Sequence, residues 1–107
     1  MAVKRKAWMT MLNSRQRAQL RKMANGMETI FQIGKGGRND ALVRSISEAL
    51  EVRELIKARV LETAPEGARD LAHKIAAETG ADVVQVIGSK FVLYRPSREN
   101  PTIVLVK

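Results

Sequence analysis

No cysteine occurs in the 107 residues, which excludes disulfides and thiolate metal sites. His73 is the single histidine, so a histidine-rich metal site is hard to build as well. One Trp, one Tyr and two Phe are the whole aromatic complement, so any core must rest on Val, Ile, Leu, Ala and Met. No stretch approaches the roughly 18 consecutive apolar residues of a membrane span. Met1 to Lys6 is basic but leads into no apolar segment, so it does not read as a secretory signal. These absences make a soluble, cytoplasmic protein the expectation. The length suits one domain, with no cofactor, metal or small-molecule substrate implied.

Acidic residues are also missing from the first quarter of the chain. None precedes Glu28, whereas Lys4, Arg5, Lys6, Arg15, Arg17, Arg21 and Lys22 are all cationic. The formal charge of +8 is therefore concentrated, and the remainder of the chain is nearly neutral. A local cationic excess is what a nucleic-acid footprint requires, because phosphate contacts supply most sequence-independent affinity.

What is present reads as alternating elements. Residues 1–13 form a basic arm that includes Trp8. Ser14 is a candidate N-cap for a first helix, in which Leu20, Met23 and Ala24 share a face and Asn25-Gly26 makes a stop. Thr29 to Ile33 is β-rich. After Gly34-Lys35-Gly36-Gly37-Arg38, Asn39 or Asp40 can cap a second helix carrying Leu42, Val43, Ile46, Ala49 and Leu50 at helical period. Leu55 to Leu61 alternates, with Ile56, Ala58 and Val60 on one face and Lys57 and Arg59 on the other. A third helix is predicted from about Pro65 or Glu66 to Thr79, ended by Gly80. Val83–Ile87 and Phe91–Tyr94 flank Gly88-Ser89-Lys90, a hairpin signal. The tail 99–107 suggests an edge strand or an ordered extension, with Pro101 arguing against a central place. The order α-β-α-β-α-β-β predicts a two-layer α/β (α+β) domain over residues 14–98, built on a four-stranded mixed sheet.

The glycine loop carries the chemistry. Glycine lets the backbone turn and approach a ligand without a Cβ in the way. A helix N-terminus behind it aims N–H groups and partial positive charge at an anion. Lys35 and Arg38 add full charges. A Walker A loop would need a Gly-Lys-Ser/Thr string, which is absent. A dinucleotide fingerprint would need glycine or alanine where Asn39 stands. A GxxG loop clamping a nucleic-acid backbone fits the spacing. A ligand-free turn between strand and helix is the simpler alternative.

Four separated strings then agree in order and spacing. Ile30-Phe31-Gln32-Ile33-Gly34-Lys35-Gly36-Gly37, Glu54-Leu55-Ile56-Lys57, Val84-Gln85-Val86-Ile87-Gly88 and Val92-Leu93-Tyr94-Arg95 resemble the CRM domain. The resemblance is closest to stand-alone bacterial YhbY-type proteins, and it spans roughly Met11 to Arg98. It implies a fold similar to the C-terminal domain of translation initiation factor three. It also implies RNA binding through Gly34, Lys35, Gly36, Gly37 and the basic surface nearby. Large-subunit ribosomal RNA or a pre-ribosomal particle is the bacterial partner it implies, and intron splicing is the role in plant organelles. The Met1–Met9 arm and the lack of a proline in Met27-Glu28-Thr29 depart from the usual pattern.

The remaining residues read more simply. His73 is expected to face solvent or to be partly packed, and no nucleophile or acid/base pair accompanies it, so an enzyme is not expected. Glu48 and Glu51 are expected on the solvated face of the second helix, facing Arg44 or Arg53. The expected mode is recognition of backbone and shape by a monomer. The loop would hold one phosphate, and Arg15, Arg17, Arg21 and Lys22 would extend the contact. Lys57 and Arg59 would continue it across the sheet if that strand face is exposed, the alternative being that they lie under a helix. Arg95 at the strand end would add a phosphate contact. An assembly factor docking on an acidic protein would use the same charge and stays open as the alternative.

Overall fold

The structure, a computed structural model, describes residues 12–107. The arm is thus outside it for residues 1–11, Trp8 included. Asn13, rather than Ser14, caps the first helix, α1 (Ser14–Asn25). Its side chain accepts from Gln16 N–H at 2.8 Å while the Gln16 amide oxygen accepts from Asn13 N–H at 3.1 Å. This reciprocal box satisfies two donors that a serine at position 14 would leave open. Leu20 and Ala24 are buried, as the helical spacing predicts, but Met23 is 40% exposed.

The chain then makes β1 (Phe31–Ile33), α2 (Asp40–Arg53), β2 (Leu55–Val60), α3 (Ala68–Thr79), β3 (Asp82–Ile87) and β4 (Lys90–Tyr94). The four strands form one mixed sheet in the order β1-β2-β4-β3. β1 runs parallel to β2, while β4 is antiparallel to both β2 and β3. The α+β class and four-stranded mixed sheet agree with expectation. α3 begins later than predicted: Gly67 is its N-cap, and Pro65 stays in the preceding loop.

The alternation of the strands sends side chains to two separate cores. Ile33, Ile56, Ala58, Phe91 and Leu93 pack with Ile46 and Leu50 of α2 and Leu71 and Ile75 of α3. Leu55, Val84, Val92 and Tyr94 point the other way and are covered by Leu20 and Ala24 of α1. The two-layer description fits the larger core, and α1 adds a layer on the opposite face. A register shift between Val83 and Gln85 turns both Val84 and Gln85 toward α1. Such a bulge leaves ladder groups unpaired. Arg17 answers this by donating Nη1 to the Val83 carbonyl at 2.7 Å and the Val84 carbonyl at 3.3 Å.

The tail contains no strand. It leaves β4 and is held at the α2–β2 junction by two carboxylates. Glu54 is 1% exposed and sits in the left-handed region (φ 67°) as the residue that ends α2. Its carboxylate accepts from Ser97 N–H (2.8 Å), Thr102 N–H (2.8 Å), Thr102 Oγ1 (2.8 Å) and Ile103 N–H (2.9 Å). Glu51 accepts from Ser97 Oγ at 2.7 Å and from the Arg98 and Glu99 N–H groups, so it faces the tail rather than Arg44 or Arg53. Beyond this clamp Ile103 and Leu105 turn into the α1 core. Gln16 and Gln19 donate to the Val106 and Val104 carbonyls, and Val106 N–H returns a bond to Gln19. Of the two expectations for the tail, the ordered extension holds and the edge strand does not: Ile103 and Leu105 are received by the α1 core rather than by the sheet.

Burial alone would raise the Glu54 pKa; the four hydrogen bonds outweigh it and hold the carboxyl below its ordinary value. The Ser97 hydroxyl and the Arg98 N–H lower Glu51 in the same sense. A folded pKa below the unfolded one gives stability that is complete above the unfolded value and is lost as pH falls through the folded one. Thermal melts from pH 7 downward should therefore show Tm falling once pH drops below about 4.5, the ordinary value. Glu54→Gln should cost about 2–3 kcal/mol at neutral pH, because it replaces a charged acceptor of four hydrogen bonds. Its Tm should also decline less steeply in acid than that of the parent.

Candidate nucleic-acid interface

β1 and β2 end side by side, and the β3–β4 hairpin turns at the same end of the sheet. Leu61 N–H donates to the Ile33 carbonyl at 2.8 Å, and Val60 N–H donates to the Ser89 carbonyl at 2.7 Å. The glycine loop, the Leu61–Gly67 loop and the Gly88-Ser89 turn therefore cluster together. The Gly37 N–H donates to the Gly34 carbonyl at 2.8 Å, closing the glycine loop as a tight turn with Lys35 and Gly36 exposed at its tip. Gly37 has φ +57°, and a Cβ there would lie 2.7 Å from Pro65 Cγ. A Cβ added at Gly36 would meet only Asn39 Nδ2, at 3.4 Å, about van der Waals contact with a side-chain end.

Asn39 caps α2, its side chain accepting from Leu42 N–H at 2.8 Å. The first two N–H groups of the helix have no intrahelical partner. Lys35 has neither an ion pair nor a hydrogen bond among the described residues. A turn of exposed backbone, one uncommitted ammonium and a helix N-terminus thus lie close together in the chain. This arrangement suits a phosphate oxygen.

The other predicted contacts divide sharply. Arg59 is exposed on the α1-facing side of β2, beside Gln32 of β1 and Lys90 of β4 in the register. Arg15 and Lys22, seven residues apart, lie exposed on the side of α1 away from the sheet, and Arg21 is half-buried. Arg38 is taken up by carboxylates: Nε donates to Glu78 Oε1 at 2.8 Å, Nη2 to Oε2 at 2.5 Å, and Nη2 pairs with Asp40 at 2.9 Å. The Glu78 hydrogen bond raises the Arg38 pKa, and the same bond holds Glu78 below the usual carboxylate range. Arg17 serves the β3 bulge. Lys57 donates Nζ to the Ala24 carbonyl at 3.0 Å and the Met27 carbonyl at 3.4 Å, closing the C-terminal end of α1. Arg95 is 13% exposed and ties three elements, donating to Ser47 Oγ (3.0 Å), the Ser47 carbonyl (2.7 Å) and the Thr79 carbonyl (2.7 Å). Burial lowers its pKa, and it lies at the opposite end of the strands from the glycine loop.

Lys90 was not among the residues predicted to bind. Its signal was available: a two-residue Gly88-Ser89 turn places Lys90 first in β4, opposite Ile87 and across from Arg59.

These features define an α+β domain with a GxxG turn between its first strand and second helix. A family model for the CRS1 / YhbY (CRM) domain matches residues 12–95, and the chain belongs to that family. It is 44% identical over 95 residues to Bacillus subtilis YqeI, named a probable RNA-binding protein, covering 89% of this chain and 99% of that one. A Haemophilus influenzae protein named an RNA-binding protein is 35% identical over 91 residues, 85% of this chain and 92% of its own. The solution structure of SAV1595 from Staphylococcus aureus, a hypothetical protein described as an RNA-binding candidate, superposes with a TM-score of 0.74. It is 44% identical, covering 90% of this chain and 100% of that one.

Gly36, exposed, and Gly37, buried, should respond differently to a methyl group. Gly37→Ala forces a left-handed alanine against Pro65 and should cost about 1–3 kcal/mol in urea denaturation. Gly36→Ala should change stability by less than about 0.5 kcal/mol, the usual range for surface substitutions.

Proposed function

We propose that the protein binds folded RNA by its phosphate backbone and performs no chemistry on it. Large-subunit ribosomal RNA during subunit assembly is the target this reading takes. The observation that carries it is the closed Gly34–Gly37 turn, which holds Gly36 bare and Lys35 uncommitted next to the α2 N-terminus. In this reading the loop N–H groups and the Lys35 ammonium hold one phosphate. Arg59, exposed two residues beyond Lys57 on β2, meets the next part of the strand. Arg15 and Lys22 add charge that draws the polyanion in but does not shape the site.

The relatives' names and the family's implied ribosomal association support RNA over an acidic protein. The glycine turn favours the same choice. A carboxylate-rich protein surface needs only charge, whereas a bare backbone turn makes room for the close approach of a phosphate. Arg17, Arg38, Lys57 and Arg95 are spent on the protein's own carbonyls and carboxylates. Removing Arg17, Lys57 or Arg95 should lower stability, whereas removing Arg38, in a partly exposed ion pair, should change it little.

Equilibrium binding of the full chain to purified ribosomal RNA across a salt series tests this. Lys35→Ala should reduce the slope of log K against log salt by about 0.7–0.9, one phosphate's share. Gly36→Asp sets a carboxylate where the phosphate would sit and should weaken binding more than tenfold at unchanged Tm. Arg95→Ala should instead lower Tm. Full affinity in Gly36→Asp would place the RNA elsewhere on the protein.

A further inference from the structure

The sheet presents three rows of side chains toward α1. Leu55 and Tyr94 form the row deepest under the helix, and Lys57, Val92 and Gln85 form the next. The last row reads Gln32, Arg59, Lys90 and Ile87 across β1, β2, β4 and β3, and all four are exposed. α1 and the tail cover the first two rows and stop short of the third. That open row begins two residues before Gly34, at the foot of the glycine loop.

Two features of the row are unfavourable for an isolated protein. Arg59 and Lys90 are direct cross-strand neighbours, and like charges in that position destabilise a sheet. Neither has an ion pair among the described residues. Ile87 is 59% exposed on the edge strand β3. Both features become favourable if one ligand brings a negative charge and an apolar surface together.

Beside this row lies a groove of about 180 Å³ lined by Asn25, Lys57, Gln85, Ile87, Lys90 and Val92. Ile87 gives it an exposed apolar wall, and the buried Val92 lies at its floor. The Asn25 and Gln85 amides make no side-chain hydrogen bond among the described residues, and each offers a donor and an acceptor. None of the lining residues is acidic. Other grooves carry carboxylates: Glu48, Glu51 and Glu99 in one, Glu62 and Glu66 in another.

We infer that this groove takes an unstacked base of a single-stranded segment of RNA, while Arg59 and Lys90 hold the phosphates that lead to it from the glycine loop. The inference rests on RNA being the partner and deepens that reading by naming unpaired nucleotides as part of the target. From β1 to β3 the row spans three strand spacings, about 14 Å, which leaves room for only a few nucleotides. A duplex keeps its base faces stacked inside and can offer the row phosphates alone. An unpaired base can lay its face on the exposed Ile87 and present its edge to Asn25 and Gln85.

The test compares two fluorescent probes binding the full chain: a blunt RNA duplex, and the same duplex with a short unpaired 3′ extension. The parent should prefer the extended probe by about tenfold, the effect expected of one buried base face. Ile87→Ala should remove most of that preference and leave blunt-duplex affinity unchanged. Lys90→Glu should weaken both probes while leaving Tm unchanged or higher, since it converts a like-charge neighbour of Arg59 into an opposite one. Equal binding of the two probes by the parent, or a preference that survives Ile87→Ala, overturns the inference. If Gly36→Asp abolishes binding while Ile87→Ala and Lys90→Glu do nothing, the loop reading stands and the groove falls. If Gly36→Asp is harmless and the Ile87-dependent preference remains, the groove stands and the loop reading falls. Failure to bind either probe removes both.

Discussion

The arrangement of this molecule depends on the buried carboxylate of Glu54. Ending α2 in the left-handed region costs a non-glycine residue about 1–2 kcal/mol of backbone strain, so glycine would be the ordinary choice. Glutamate is kept there because the side chain gathers four hydrogen bonds from Ser97, Thr102 and Ile103. Those bonds fix the direction in which the tail leaves the sheet. The tail then lies along α1, with Ile103 and Leu105 beneath it and the two glutamines of the helix holding its carbonyls. A helix of twelve residues is marginal by itself, and most of its stability must come from packing. α1 is thus held on the sheet by a strap whose buckle, Glu54, lies 43 to 49 residues before the tail groups it binds.

That placement also decides which charges remain for a partner. Arg17 of α1 bonds the β3 bulge, and Lys57 of β2 bonds the end of α1. Neither would have a carbonyl to meet if α1 lay elsewhere. Arg38 and Arg95 are absorbed on the other face by Glu78, Asp40, Ser47 and Thr79. The net charge of +8 describes the attraction of the molecule for a polyanion at long range. It says little about contact, because several of the cations nearest the sheet are internal hydrogen-bond donors.

The strands, helices and hairpin were legible because each carries its own period, and the glycine loop because its position between strand and helix is written locally. The family resemblance was legible because four strings keep their order. What escaped is long-range. Leu42 and Leu105 have the same apolar character, yet only the folded chain shows that the second belongs to the α1 core. Glu54 sits among Glu48 and Glu51 in a run that reads as a solvated face, and nothing local separates the buried member from the others. Arg17, Arg38 and Arg95 read as ligands for phosphate because an arginine looks identical in sequence whether its acceptor is RNA or the protein's own carbonyls and carboxylates, and Lys57 takes the other reading open to it, under a helix. Asn13 was passed over for Ser14 since both are good caps, and only the Gln16 partner, three residues on, favours the asparagine.

The exposed row of the sheet follows from the same economy of cover. One helix and one strap of tail can close only two of three rows, and the third lies at the end where the crossovers and the hairpin turn must also fit. A longer α1 would bury Ile87 and separate Arg59 and Lys90 from solvent, leaving two like charges under a helix with no counter-ion. A shorter one would open Lys57 and Val92 and lose the packing of Ala24. Because Lys57 holds the Ala24 and Met27 carbonyls, the sheet itself sets where the helix stops. The helix end and the open row are therefore set by one residue of β2, two places before Arg59. The glycine loop belongs to the same geometry, since β1 reaches the sheet only through its pairing with that strand.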